Sequence, residues 1–111
     1  ITAEGELFAS VTTAPVVTLT GASTPLQATA YHRYAGGTDI SLTIAASSST
    51  APEEFHFRQA GAGSITVVGA SGVTINAPFK GTRTTAGQGA TMTLKRVAAN
   101  QYDLFGQTLS I

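Results

Sequence analysis

The five residues Ile40-Ser41-Leu42-Thr43-Ile44 alternate between aliphatic and hydroxyl side chains. Successive side chains of a β-strand point to opposite faces, so this pattern predicts a strand with one face on a core and the other in water. The segment Glu54-Phe55-His56-Phe57-Arg58 alternates in the same way, and we expect Phe55 and Phe57 to point inward. No window of a dozen residues has the apolar spacing of an amphipathic helix. The sequence therefore predicts an all-β protein.

Two hairpins are predicted in the second half of the chain. Residues 61–68 and 69–76 nearly repeat each other, and the glycines between residues 69 and 72 suit a tight turn. We favour an antiparallel hairpin here over a solenoid, because two copies of an eight-residue unit are too few to stack. The other hairpin joins residues 91–97 to 102–105 through Ala99-Asn100, since Asn tolerates a left-handed backbone.

Strand patterns in the first half are less regular, at residues 7–11, 16–19 and 26–34. About eight short strands spaced near ten residues predict a single domain over residues 1–111, in which residues 1–40 rest on the weakest pattern. We expect a compact antiparallel β-sandwich, jelly-roll-like, or a small barrel. Initiator methionine is normally removed only before small residues, so the start at Ile1-Thr2 suggests a chain that was cleaved or cut from something longer.

The composition limits the kinds of partner that the protein can bind. Only 11% of the residues are charged, six basic against six acidic, while 42% are hydrophobic. A surface with so little net charge favours association between copies, so we expect a homo-oligomer. The balanced charge argues against nucleic-acid binding. The absence of cysteine excludes disulfides and thiolate metal sites, and the apolar runs fall short of the ~20 residues of a membrane helix.

Residues 54–106 support a more specific expectation. The segments EFHFRQAGAG (54–63), GVTINAP (72–78) and GQGATMTLKRVAANQYDLFG (87–106) match in order and spacing a β-rich module of bacteriophage proteins. This half of the chain resembles a module recurring in tail-fibre and other virion structural proteins. The resemblance implies a virion component, assembled in the host cytoplasm, that binds its own copies and other virion proteins. It implies no catalytic residue and no cofactor, and it leaves capsid and tail locations open.

One cluster in the first half has the residue types of a binding face. Tyr31, Arg33 and Tyr34 fall within four residues, and aromatic rings beside hydrogen-bonding groups suit a glycan or a protein interface. We nevertheless favour an ordinary strand, in which Tyr31 or Arg33 packs against its neighbours, over a binding face. Phe79, after Pro78, is a second candidate contact on an exposed loop.

Catalytic and metal-binding patterns are sparse. Glu53, Glu54 and His56 are the nearest approach to a metal or hydrolase cluster, but adjacent strand residues diverge and all three do not converge easily. We therefore expect no catalytic, metal or cofactor site. Three functional hypotheses follow: a self-associating virion protein of the capsid or a tail appendage, assembled as a trimer, which we favour; a carbohydrate- or receptor-binding module of a tail fibre; and a small hydrolase.

Overall fold

Two layers of short strands enclose the apolar side chains. The computed structural model describes residues 15–51 and 53–111, and the regular structure in these ranges is entirely β. The ten strands are β1 (Val16–Leu19), β2 (Tyr31–Tyr34), β3 (Ile40–Ile44), β4 (Glu54–Gln59), β5 (Ile65–Gly69), β6 (Thr74–Asn76), β7 (Gly81–Thr85), β8 (Thr91–Ala98), β9 (Gln101–Gly106) and β10 (Thr108–Ser110). No helix in the described ranges has the length and apolarity to cross a bilayer.

The strands form two mixed sheets. One has six strands in the order β1-β2-β4-β8-β9-β6, and the other has four in the order β10-β7-β5-β3. Within the described residues, four of the eight strand pairs are parallel and four are antiparallel. The all-β prediction is thus confirmed, whereas the sheets are mixed rather than antiparallel and contain ten strands rather than about eight.

Parallel pairing in both sheets follows one repeat. Strand β2 pairs with β4, with Tyr31 opposite His56, and β3 pairs with β5, with Ile40 opposite Ile65. The offset is 25 residues in both cases, from 31 to 56 and from 40 to 65. In each case a strand of the six-stranded sheet, the connection that follows it and a strand of the four-stranded sheet make one unit, which we call a rung. Rung 1 is residues 31–44 and rung 2 is residues 56–69, and we call the connection within a rung its arc. Rung 2 therefore lies directly on rung 1.

Backbone hydrogen bonds join the arcs of the two rungs. The amide of Gly63 donates to the carbonyl of Gly36 at 2.9 Å, and the amide of Gly61 donates to that of Tyr34 at 3.2 Å. A Cβ built at either glycine of rung 2 would meet backbone atoms of rung 1 at 2.3 Å. Glycine is therefore required at both positions by the close approach of one arc to the other.

The predicted hairpin over residues 61–76 is wrong. Strand β5 lies in the four-stranded sheet, and β6 lies in the six-stranded sheet, parallel to β9. The connection is a turn closed by the Val73 amide on the Ala70 carbonyl, with Gly72 at a φ of 87°. Alternation reports which side chains are buried, and two sheets facing one core give the same pattern as two strands of one sheet. This exposed turn takes the chain from one sheet to the other, instead of turning it back along one sheet as a hairpin does.

Other predicted strands are confirmed. Leu42 and Ile44 of β3 and Phe55 and Phe57 of β4 are buried, with Phe57 fully inaccessible. The hairpin of β8 and β9 forms as predicted, with Asn100 in the left-handed region at a φ of 57°. The strand at residues 16–19 is present, only residues 31–34 of the predicted strand 26–34 are extended, and the one at 7–11 falls outside the described residues.

Buried polar groups hold the arc of rung 2. The Gln59 side-chain amide donates to the carbonyls of Gly61 and Ala62, at 3.2 and 3.3 Å, and its oxygen accepts from the Thr85 hydroxyl. From the surface, the Gln88 side chain donates to the carbonyl of Ala60 at 3.3 Å. Buried backbone groups need such partners, and both glutamines supply them to the backbone of this loop.

Candidate functional site

Strand β2 divides the predicted binding cluster between two faces. Its four residues alternate, so His32 and Tyr34 point into the core while Tyr31 and Arg33 point outward from the six-stranded sheet. Arg33 is exposed and Tyr31 is half-buried. The structure therefore brings Tyr31 and Arg33 to one surface and separates Tyr34 from them.

Tyr34 belongs to the core rather than to a surface. Its side chain is 5% exposed, and its hydroxyl donates to the Thr38 carbonyl inside the arc of rung 1. The ring lies over Gly36, where a Cβ would approach the hydroxyl to 2.5 Å. Residues three apart in a strand face opposite ways, so Tyr34 does not join the surface contacts with which the sequence pattern grouped it.

His32 is a structural residue. It is fully buried beside Phe57, with ring centroids 5.2 Å apart. Its Nε2 accepts from the Gln27 amide at 3.0 Å, so Nδ1 carries the proton and donates to the His56 carbonyl at 3.0 Å. Desolvation lowers the pKa of His32 below its usual value of 6.5. The neutral ring thus fixes the segment before β2 to β4.

The register of the rungs adds a second arginine to the outer face. Arg58 lies directly opposite Arg33 in the parallel pair of β2 and β4, and both side chains point outward. The row continues to Thr18 on one side and Thr91 on the other. We call these four residues the cationic row. Among the described residues, neither arginine has an ion pair or a side-chain hydrogen bond.

A second row runs beside the cationic row. Val16, Tyr31, His56, Thr93 and Phe105 lie opposite one another across five strands. Val16 is 64% exposed and Phe105 is 49% exposed, so this row has apolar ends. We call it the aromatic row. It places a tyrosine ring next to Arg33 and an imidazole next to Arg58.

The third row of this face carries one ammonium and two carboxylates. Glu54 accepts from the Lys95 ammonium at 3.0 Å, and the Asn76 amide donates to Asp103 at 3.0 Å. Lys95 and Asp103 also lie opposite each other in the pair of β8 and β9. Among the described residues of this face, the positive charge that has no ion pair therefore lies on Arg33 and Arg58, whereas Asp103 is left as an unpaired negative charge.

A triad-like contact joins the aromatic row to the third row, and Thr93 adds a hydroxyl to the candidates Glu54 and His56. His56 Nδ1 lies 3.0 Å from the Thr93 hydroxyl, and its Nε2 lies 3.6 Å from Glu54 Oε1. A hydroxyl, an imidazole and a carboxylate in this order are the parts of an acyl-transfer site. These side chains lie on the solvent-exposed face of the sheet, however. The strand amides that would stabilise an oxyanion are already paired in the ladder of β4 and β8. The arrangement suits surface hydrogen bonding better than catalysis.

Glu53 takes no part in that contact. It pairs with Arg96 at 2.9 Å, and Arg96 is 7% exposed. The same guanidinium donates to the Tyr102 hydroxyl from Nη2 at 2.8 Å and from Nε at 3.2 Å. Glu53 and Glu54 therefore serve separate ion pairs. The described ranges hold no cluster of three or more metal-ligating His, Cys, Asp or Glu side chains.

Phe79 lies apart from the rows. It is 90% exposed in the loop between β6 and β7, where the Lys80 ammonium sits 5.4 Å from its ring centroid. Strand β6 is the far edge of the six-stranded sheet, four strands from β2. At a strand spacing of about 4.8 Å, this corresponds to roughly 19 Å, too far for one small ligand to bridge Phe79 and Arg33.

Comparison with known proteins returned no significant match, whether to protein-family models, to curated proteins or to solved structures.

Proposed function

We propose that this chain is an assembly module of a bacteriophage virion, a capsid decoration or tail-appendage protein that binds copies of itself and neighbouring virion proteins. The observation that carries the proposal is the open edge of strand β3. Within residues 15–51 and 53–111, strand β3 is the last strand of its sheet and pairs only with β5. It contains no charged residue that would discourage pairing with another chain.

The direction of the backbone groups on β3 supports this proposal. The Ile40 amide donates to Ser64, and the Ile44 carbonyl accepts from Ala70, so these residues turn their backbone toward β5. Backbone groups alternate in direction along a strand, and the N–H and C=O of Ser41 and Thr43 therefore point to the open side. A second chain can bind there by adding a strand to the sheet.

A cleft beside this edge gives the added strand a place for side chains. Its volume is about 360 Å³, and it lies between residues 22–26 and strand β3. Leu42, Ile44, Phe55 and Tyr102 contribute to its lining. An incoming strand with alternating apolar residues, as this chain has in abundance, would bury those residues in the cleft.

A second copy is the occupant that the surface favours. Apolar side chains are exposed on and after β10, the other edge strand of the same sheet, at Leu109 and Ile111, of which Ile111 is 92% exposed. If the β3 edge of one copy meets a different surface of the next, the contact is head-to-tail and can close as a ring, including the trimer that we favour. The virion itself enters the proposal through the resemblance of residues 54–106, which span β4 to β9.

Oligomeric state tests the assembly proposal. We expect the unmodified chain to sediment as an oligomer and Thr43→Lys to sediment as a monomer, because the lysine places a charge on the open edge. Thr43→Pro removes an amide that points away from β5, so it should block pairing and leave the ladder intact. Ser71→Lys adds the same charge on an exposed turn and should remain oligomeric. A monomeric unmodified chain, or an oligomeric Thr43→Lys, would overturn the proposal.

Location on a particle is a separate test. An antibody against the chain should decorate purified phage particles in electron micrographs, at capsid vertices or faces for a decoration protein and along the tail for an appendage. Particles without label, from a host in which the chain is expressed, would contradict the virion assignment while leaving the assembly result untouched.

A further inference from the structure

We propose that the cationic row, with Tyr31 beside it, binds an acidic sugar unit of a polysaccharide, a site separate from the assembly edge. Arg33 and Arg58 lie opposite each other on neighbouring parallel strands, both directed outward. Like charges directly opposite in a sheet destabilise it. An anion bound between the two guanidinium groups removes that repulsion.

The spacing of the two arginines favours a single anionic group. Neighbouring strands lie about 4.8 Å apart, so both guanidinium groups reach the same carboxylate or sulfate. Guanidinium forks match the oxygens of such groups in pairs of hydrogen bonds. The hydroxyls of Thr18 and Thr91, at the two ends of the row, can donate to further oxygens of the ligand.

The neighbouring aromatic row favours an acidic sugar over other anionic ligands. Tyr31 is next to Arg33 on the same outer face and is only half-buried. A tyrosine ring offers an apolar plane for the ring of a sugar and a hydroxyl for its polar rim. Nucleic acid would need a longer series of cations along its phosphates, and the described outer face has two unpaired arginines.

The third row limits where the ligand lies. Lys95 is already paired with Glu54, and Asp103 lies beside it, so an anion placed there would meet carboxylates. His56 separates this row from Arg58. The ligand therefore lies over β2 and β4, toward Arg33 and Arg58, and away from β9.

Binding to defined polysaccharides tests the site. Calorimetry at low salt would use dextran sulfate for sulfate, oligogalacturonate for carboxylate and unmodified dextran as the neutral sugar. We expect binding to at least one acidic probe and none to dextran, and the two acidic arms distinguish the anionic groups. Binding should weaken as salt is added, because the exposed charges are screened. If neither acidic probe binds the unmodified chain at low salt, the proposal is overturned.

Matched variants assign the binding to this face. Arg33→Gln and Arg58→Gln should each weaken binding at least about tenfold, whereas Arg83→Gln, an exposed arginine on β7 of the other sheet, should not. Arg58→Gln should also raise the urea midpoint slightly, since it removes like-charge repulsion, so stability and binding move in opposite directions. Equal loss in Arg83→Gln would overturn the site.

Two further measurements separate the sugar from other ligands and from assembly. Tyr31→Ala should weaken binding and Tyr31→Phe should retain most of it, because the ring plane makes the contact. Single-stranded DNA of matched charge should bind more weakly; equal affinity with the same dependence on Arg33 would overturn the sugar assignment. All measurements are repeated on Thr43→Lys, so a failure of assembly and a failure of binding are seen independently.

Discussion

Replacing Gly63 by alanine tests whether the two rungs stack as described. A Cβ at this position would lie 2.3 Å from the Thr38 carbonyl oxygen and 2.8 Å from the Thr38 amide nitrogen. Both are backbone atoms of rung 1, so no side chain can rotate away. Gly63 does not have a positive φ, and the backbone conformation itself therefore accepts alanine. The whole effect comes from the distance between the rungs.

The size of the effect follows from the bonds between the arcs. Restoring an ordinary contact requires the arcs to separate by about 1 Å. The bonds from Gly63 to Gly36 and from Ser64 to the Asp39 carboxylate, both 2.9 Å, would then exceed hydrogen-bonding distance. Two lost hydrogen bonds at about 1 kcal/mol each, with some overpacking strain, give a destabilisation of roughly 2 to 4 kcal/mol. This is a large part of the ~5–15 kcal/mol that stabilises a typical domain.

Gly37→Ala is the matched control, since it lies in the arc of rung 1. A Cβ at Gly37 would meet no atom within 4 Å, and its φ is not positive. Alanine should leave stability unchanged or raise it by up to about 1 kcal/mol, through the lower entropy of the unfolded chain. Urea titration followed by far-ultraviolet circular dichroism measures both variants. If Gly63→Ala falls within about 0.5 kcal/mol of Gly37→Ala, the stacking of the arcs is refuted.

Three further predictions use the same titration. The fold favours the neutral His32 ring, so as the pH falls the unfolded chain takes up a proton on this residue before the folded chain does. The contribution of His32 to the free energy of unfolding should therefore be constant above about pH 6.5 and decline toward about pH 5.5. A rise in stability on acidification would contradict the burial of the ring. Tyr102→Phe removes the acceptor of two buried Arg96 donors and should cost about 1–3 kcal/mol, while Tyr31→Phe should change stability by less than about 0.5 kcal/mol. Thr29 is β-branched at a φ of 64°, so Thr29→Gly should raise stability by about 1 kcal/mol, and a loss would indicate that the hydroxyl contact to Ala28 matters more.

Strand positions could be predicted from the sequence because alternation reports burial directly. The pattern in Ile40–Ile44 identifies Leu42 and Ile44 as core residues, as the structure has them. Pairing could not be read from alternation, since a strand presents the same pattern whichever neighbour it has. Two strands that face each other across a core and two that share a sheet are equivalent in this respect. The predicted hairpin over residues 61–76 failed for that reason.

A signal for the pairing was nevertheless present at a longer period. Residues 31–44 (YHRYAGGTDISLTI) and residues 56–69 (HFRQAGAGSITVVG) share an arginine, an Ala-Gly pair and an isoleucine at an offset of 25 residues. Those are Arg33 and Arg58, the arc residues 35–36 and 60–61, and Ile40 and Ile65. The eight-residue repeat of residues 61–68 and 69–76 is easier to recognise in the sequence than the 25-residue repeat, and it indicates only the turn at Gly72. Repeats of 20–50 residues indicate stacked units, and here two units suffice because the β8–β9 hairpin covers the second.

The candidate face was only partly predictable. Tyr31 and Arg33 are two apart and share a face by alternation alone, whereas Tyr34 is three residues from Tyr31 and had to point the other way. Arg58 and His56 join them through the pairing of β2 with β4, which no local pattern specifies. The unpaired charge on this face becomes visible only when the register is known.

The assembly edge and the cationic row lie on different sheets, and this separation has a functional consequence. Strand β3 is the edge of the four-stranded sheet, while Arg33 and Arg58 face outward from the middle of the six-stranded sheet. Association through β3 therefore does not need to cover the arginines, and each copy in an oligomer can present its own pair. A polysaccharide repeats its charged units, so several weak sites held in one particle bind it far more tightly than one site does. Under the two proposals, a chain with few charges serves both roles, because assembly would multiply the arginine pair that each copy presents.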